Sequence, residues 1–179
     1  MLYVIANCSF FDLTKVKKRG FKNIDEMNNQ MLKAWNETVK PDDTVLCLGK
    51  LFQPVEIDKI KNLCTQLNGD IIVLTEDYLI REYYQQNQLS DYFYIFSTKD
   101  YYDHIDVLFC PFCDNPESKK DKYTVCCCGS GHNFNDMCKD KYLNVDADKW
   151  EYYPIVASEV KNIYNNMSEF FEEESNEVH

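Results

Sequence analysis

The chain has 179 residues, 45% of them hydrophobic, with only 5 Gly and 5 Pro. That is the length of one domain, able to bury roughly 70% of its unfolded surface, and it excludes collagen-like, linker-like and broadly disordered classes. Nineteen Lys and Arg against 30 Asp and Glu leave a net charge of −11, which argues against general nucleic-acid binding and against an anionic membrane surface.

Leu2–Ala6 is a short apolar, β-favouring run that fits a buried strand. Lys15-Val16-Lys17-Lys18-Arg19-Gly20 reads as a solvated basic loop, with contact to an acidic partner as the sharper alternative. A helix opens at Asn23 or Asp25, either able to cap it, and Met27, Met31, Ala34, Trp35 and Thr38 mark one face. Pro41 ends it within Lys40-Pro41-Asp42-Asp43, a turn signal. Thr44–Leu48 is a second buried strand, closed by Gly49. From Pro54 to Gly69 a helix is predicted, with Val55, Ile57, Ile60, Leu63, Cys64 and Leu67 apolar and Asn68-Gly69 as its stop.

Asp70–Leu74 reads as the third buried strand, and Thr75–Gln88 as partly helical. Further strands are predicted at Tyr92–Phe96, Val107–Cys110 and Tyr123–Cys128. Lys141–Val145 then leads into a turn around Asp146-Ala147-Asp148, and Ala157–Phe171 is the last helix. The expectation is an α/β layered architecture, mixed β-sheets flanked by helices, with residues 1–171 as one domain and Glu172–His179 as an acidic tail.

In such folds chemistry sits on loops beyond the carboxyl ends of the strands. Those loops are Asn7–Asp12, Gly49–Phe52, Thr75–Tyr78, Pro111–Cys113 and Gly129–Asn133. Scaffold segments run between them in a definite order. Glu26-Met27-Asn28 and Ala34-Trp35-Asn36 mark the first helix, and Lys40-Pro41-Asp42-Asp43-Thr44-Val45 leads to Leu48-Gly49. Leu67-Asn68-Gly69 precedes the third strand, and Leu143-Asn144-Val145-Asp146-Ala147-Asp148 with Tyr153-Pro154-Ile155 closes the pattern. In this combination, over about residues 1 to 160, the chain resembles the calcineurin-like metallophosphoesterases, especially their small bacterial and phage-type members. The resemblance implies a layered calcineurin-like fold and, in the family, a two-metal centre that hydrolyses phosphoric esters.

The chemistry departs from that family position by position. A two-metal phosphoesterase needs hard carboxylate and imidazole ligands around ions roughly 3.5–4 Å apart. The family's opening Asp-x-His falls on Asn7-Cys8-Ser9, and its metal-bridging Asp falls on Lys50. Its Gly-Asn-His-Asp loop falls on Thr75-Glu76-Asp77-Tyr78, which removes an Asn ligand and a His proton donor. The lone family His falls on Pro111 or Cys110, and Gly-His-x-His on Gly129-Ser130-Gly131-His132, where only His132 keeps a ligand type. An ammonium at the bridging position repels two dications strongly in a partly buried site.

The expected function is therefore that of a pseudoenzyme, binding a protein partner or a small anionic ligand near Lys50, His132 and Asn7 without a cofactor. The runner-up is an active phosphoesterase whose Mn, Fe or Zn pair is held by a site rebuilt from Asn7, Glu76, Asp77, His132 and cysteines, with Ser9 and Ser130 as the other former-site positions.

Cysteine supplies a third reading. Nine cysteines cannot all pair within one chain, and Met1–Ala6 lacks the basic and long apolar runs of a secretory leader. No stretch approaches the ~20 apolar residues that span a bilayer. The expectation is a cytoplasmic protein with mostly free thiols. Cys110, Cys113, Cys128 and His132 nonetheless have the ligand types of one structural zinc, with Cys126, Cys127 and Cys138 nearby. Within a strand alternate thiols point to opposite faces, so packing is the favoured account. Tyr83-Tyr84 and Tyr101-Tyr102 are candidate interface anchors, and His104 a surface or strand-edge residue.

Overall fold

The computed structural model describes residues 1–96, 102–104, 107–109, 125–128, 138–139 and 142–167. The first half alternates strand and helix: β1 (Leu2–Ala6), α1 (Leu13–Lys18), α2 (Ile24–Thr38), β2 (Thr44–Leu48), α3 (Ile57–Gln66), β3 (Asp70–Leu74) and α4 (Tyr78–Gln86). Strands then dominate: β4 (Tyr94–Phe96), β5 (Tyr102–His104), β6 (Val107–Phe109), β7 (Val125–Cys128), β8 (Cys138–Lys139), β9 (Tyr142–Asn144) and β10 (Ile155–Val156). A helix over residues 160–167, α5, follows a short 3₁₀ turn at Ala157–Glu159.

Among the described residues these strands form two five-stranded sheets, ordered β10-β1-β2-β3-β4 and β5-β6-β7-β9-β8. β1 to β4 are parallel and β10 runs antiparallel along β1. The second sheet is mixed, with β6, β7 and β9 parallel between antiparallel neighbours. The period of two in a strand sends alternate side chains into two different cores. Tyr3, Ile5, Val45, Cys47, Ile71 and Val73 meet Met27, Met31 and Trp35 of α2 and Ile60 and Leu63 of α3. Val4, Ala6, Leu46, Leu48 and Leu74 meet Phe109, Leu143, Val145 and Val160. Fully burying a side chain such as Met27 or Leu46 contributes about 1.5–3 kcal/mol. The fold is thus α/β, with α2 and α3 on one face of the first sheet and the second sheet together with α5 against its other face. Among the described residues no helix is long and apolar enough to cross a membrane.

Several sequence expectations need correcting. Lys15 to Lys18 are not loop: Asp12 caps α1 by accepting from the Thr14 N–H, and Lys15, Lys17 and Lys18 in its last turn suit the negative end of the helix dipole. Arg19 is not solvated either, its side chain being 2% exposed. The helix predicted from Pro54 begins at Ile57 and ends at Gln66, because Leu67 is already extended. Tyr83 and Tyr84 are half-buried and make contacts within the fold: the Tyr83 hydroxyl donates to the Val55 carbonyl at 2.5 Å, and Tyr84 packs on Phe93 with ring centroids 5.1 Å apart. His104 ends β5, at the edge of the second sheet. Tyr101 and residues 172–179 lie outside the described residues.

Candidate functional site

Parallel pairing in register sets Ala6, Leu48 and Leu74 level across three strands, so Asn7, Gly49 and Thr75 leave the sheet at one height. The loop after β1 is unusual. Asn7, Ser9 and Phe11 have φ of 50°, 56° and 62°, a left-handed conformation that asparagine tolerates and phenylalanine does not favour. Such residues cost about 1–3 kcal/mol each and persist only where the surroundings hold them. Here the Asn7 N–H donates to the Leu48 carbonyl at 3.0 Å and the Ser9 N–H to the Lys50 carbonyl at 3.0 Å. Phe11 N–H donates to Asn28 Oδ1 at 3.0 Å.

The side chains at this edge form two pairs. Asn7 Nδ2 donates to Asp146 Oδ2 at 2.9 Å, and Asn7 Oδ1 accepts from the Lys50 N–H at 3.4 Å. A Cβ on Gly49 would overlap Asn7 Oδ1, and the φ of Gly49 is +79°, so glycine serves here both for space and for backbone. Asp146 comes from the segment after β9, bridged to Ala6 at the end of β1. Its Oδ1 accepts from the Asp148 N–H at 3.0 Å. Burial pushes the Asp146 carboxyl above the ordinary carboxylate range, partly offset by the Asn7 and Asp148 donors.

The second pair is Lys50 and Asp77. Lys50 Nζ lies 3.8 Å from Asp77 Oδ2 and 3.1 Å from Gln53 Oε1, with both charged side chains 32% exposed. Asp77 also caps α4, Oδ1 accepting from the Leu79 N–H at 3.0 Å. Glu76 faces Arg81, its Oε2 3.6 Å from Nη1. Ser9 is buried. The site therefore sets one partly exposed ammonium, paired with a carboxylate, beside an amide and a buried carboxylate at the mouth of a parallel sheet.

Of the sequence-predicted site residues, Asn7, Ser9 and Lys50 come together around the loop after β1, and Asp77 joins them through Lys50. Ser130, His132, Cys110 and Cys113 lie outside the described residues, as does the side chain of Cys128. Asp146 and Gln53 escaped sequence reasoning. The available signal was a carboxylate at Asp146, inside a segment read only as scaffold. Among the described residues no group of three or more His, Cys, Asp or Glu has the placement to hold a metal ion. Cys8, Cys47 and Cys64 are free and buried. The side-chain hydrogen bond with Cys8 and then burial push the Cys47 thiol up, and burial pushes Cys64 up to about 12, so both stay protonated at neutral pH.

No family model matches the chain. It is similar to the uncharacterised protein MJ1445 of Methanocaldococcus jannaschii, 33% identical over 76 residues, 41% of this chain and 43% of that protein. The matched stretch thus spans less than half the length of that relative. In structure it is similar to AQ665 of Aquifex aeolicus, a protein of unknown function, with a TM-score of 0.65 and 16% identity. That similarity covers 91% of this chain and 98% of the other. The α/β fold is shared with AQ665 over nearly all of both chains.

Proposed function

We propose that the chain is a calcineurin-like phosphoesterase scaffold whose two-metal centre has been replaced by side-chain pairs, and that it acts by binding a small anionic ligand at Lys50. The carrying observation is Lys50 Nζ 3.8 Å from Asp77 Oδ2, at the position where the family has a bridging carboxylate. The positive charge that metal ions bring to such a site is here covalently attached and already has a carboxylate partner. Asn7 makes the same exchange, an amide donating to Asp146 where the family has an acidic ligand. In support of this reading, Asp77 caps α4 and faces Lys50, and Glu76 faces Arg81, so both carboxylates have side-chain or backbone partners here. Lys50 is one-third exposed, accessible to an anion from solvent.

Metal analysis of purified protein, a Mn²⁺-supplemented assay on a generic phosphodiester, and titration with inorganic phosphate test this reading. The expected result is substoichiometric metal, no turnover, and phosphate-dependent NMR shifts at Lys50. Two bound Mn or Fe ions with turnover lost in His132→Ala would establish the remodelled phosphoesterase instead. One tightly held zinc without turnover or phosphate shifts would favour the cysteine-based structural module, and a pulled-down protein partner without phosphate shifts would favour a docking role.

A further inference from the structure

Arg19 carries the most completely used cation among the described residues, and nothing in the reading above gives it a task. Its Nη1 donates to the Cys8 carbonyl at 2.8 Å and its Nη2 to the Asn7 carbonyl at 3.2 Å. Nε donates to Asp148 Oδ1 at 2.5 Å. The guanidinium lies over the Tyr152 ring, 5.3 Å from its centroid, and Nη1 is 3.3 Å from the Met31 sulfur. The pleat of a strand turns successive peptide groups to opposite sides, so one group that reaches two consecutive carbonyls has the loop folded around it.

These contacts close a ring. Arg19 grips the Asn7 backbone, the Asn7 side chain donates to Asp146, Asp146 accepts from the Asp148 N–H, and Asp148 returns to Arg19. Both ends of the Asn7–Asp146 hydrogen bond are thus fixed by the same guanidinium. A lysine has its three donors on one nitrogen and no planar fork, so it cannot reproduce the separate Nε, Nη1 and Nη2 contacts that arginine makes here. We propose that Arg19 is the positioning residue of this site, setting the left-handed backbone at Asn7 so that the amide is seated between Gly49, Lys50 and Asp146. The assignment rests on the anion-binding reading only for its purpose: through Asn7 Oδ1 the ring also fixes the Lys50 N–H.

The test is Arg19→Lys, which keeps the charge and most of the apolar stem, followed by NMR. Loss of the clamp is expected to speed solvent exchange of the Asn7 Nδ2 protons about tenfold. It is also expected to move the Asp146 carboxyl titration upward, because the Asn7 donor favours the charged form. A folded Arg19→Lys protein with both readouts unchanged overturns the assignment. An Arg19→Lys chain that does not fold overturns it as well, since the arginine then supports the whole fold and not this loop. Phosphate titration of the wild-type protein separates the two ideas: absent shifts at Lys50 sink the anion-binding reading, while the Asn7 and Asp146 readouts still decide the role of Arg19.

Discussion

Asn7 Nδ2 and Asp146 Oδ2 are 2.9 Å apart although the residues are 139 positions apart in sequence. The pair places an amide donor against a buried carboxylate, so the neighbour of Asp146 must donate and must not carry negative charge. Asn7→Asp reverses both requirements. Two carboxylates at that distance cannot both stay ionised, and the folded state takes up a proton that the unfolded chain does not need. Stability should therefore fall with rising pH more steeply than in the wild type, with a cost of about 1–3 kcal/mol at neutral pH. Thermal unfolding followed by circular dichroism between pH 5 and pH 8 measures the divergence. Parallel curves would mean that the loop relaxes away from Asp146.

Asp146 itself supplies a second pH prediction. Burial, the main cause, raises its carboxyl pKa above the unfolded value. A carboxyl raised in this way binds its proton more tightly when folded. Its contribution to stability is full below the unfolded pKa and is lost as pH rises through the folded one. In Asp146→Asn that loss is absent, so the variant should gain on the wild type as pH rises from the ordinary carboxylate range towards neutrality. Denaturant titrations at several pH values give the slope, and a wild type that gains on the variant with rising pH would contradict the account.

Much of the fold was legible in the residues, for identifiable reasons. β1, β2 and β3 are apolar on both faces, and the unbroken apolar runs Leu2–Ala6, Val45–Leu48 and Ile71–Leu74 carry that directly. β8 and β10 have two residues each, too few to express a period, and β10 forms because Tyr3 and Val4 present β1 to it. The basic run at Lys15 looked solvated because its charges dominate composition. Asp12 turns it into a helix, and Asp148, contributed by a distant segment, draws Arg19 inside. The site divides the same way. Lys50 and Asn7 stood out because they sit where the resemblance requires acids, whereas Asp146 owes its role to a contact across the fold that no local pattern encodes.

Gly49 tests the steric side of the site. Its φ of +79° is strained for any L side chain, and an added Cβ would overlap Asn7 Oδ1. Gly49→Ala should cost about 1–3 kcal/mol, read as a lower urea midpoint at unchanged m-value. It should also disturb the Asn7 side-chain amide resonance, which a purely local backbone penalty would leave in place.

Lys50 and Asp77 separate stability from binding. The pair is one-third exposed on each side, so its net contribution to folding is small, about 0.2–1 kcal/mol, and falls with salt. Lys50→Ala should accordingly unfold near the wild-type temperature and lose the response to inorganic phosphate. Asp77→Asn is the informative partner. Asparagine still caps α4 as an N-terminal acceptor, so stability should change little. The competing carboxylate is gone, however, and an anion no longer has to displace it from the ammonium. Phosphate affinity should then rise about 1.4-fold to fivefold at low salt, the ratio that corresponds to an exposed ion pair. Isothermal titration of the three proteins decides the matter: weaker phosphate binding in Asp77→Asn would show that Asp77 orients Lys50 and does not compete for it.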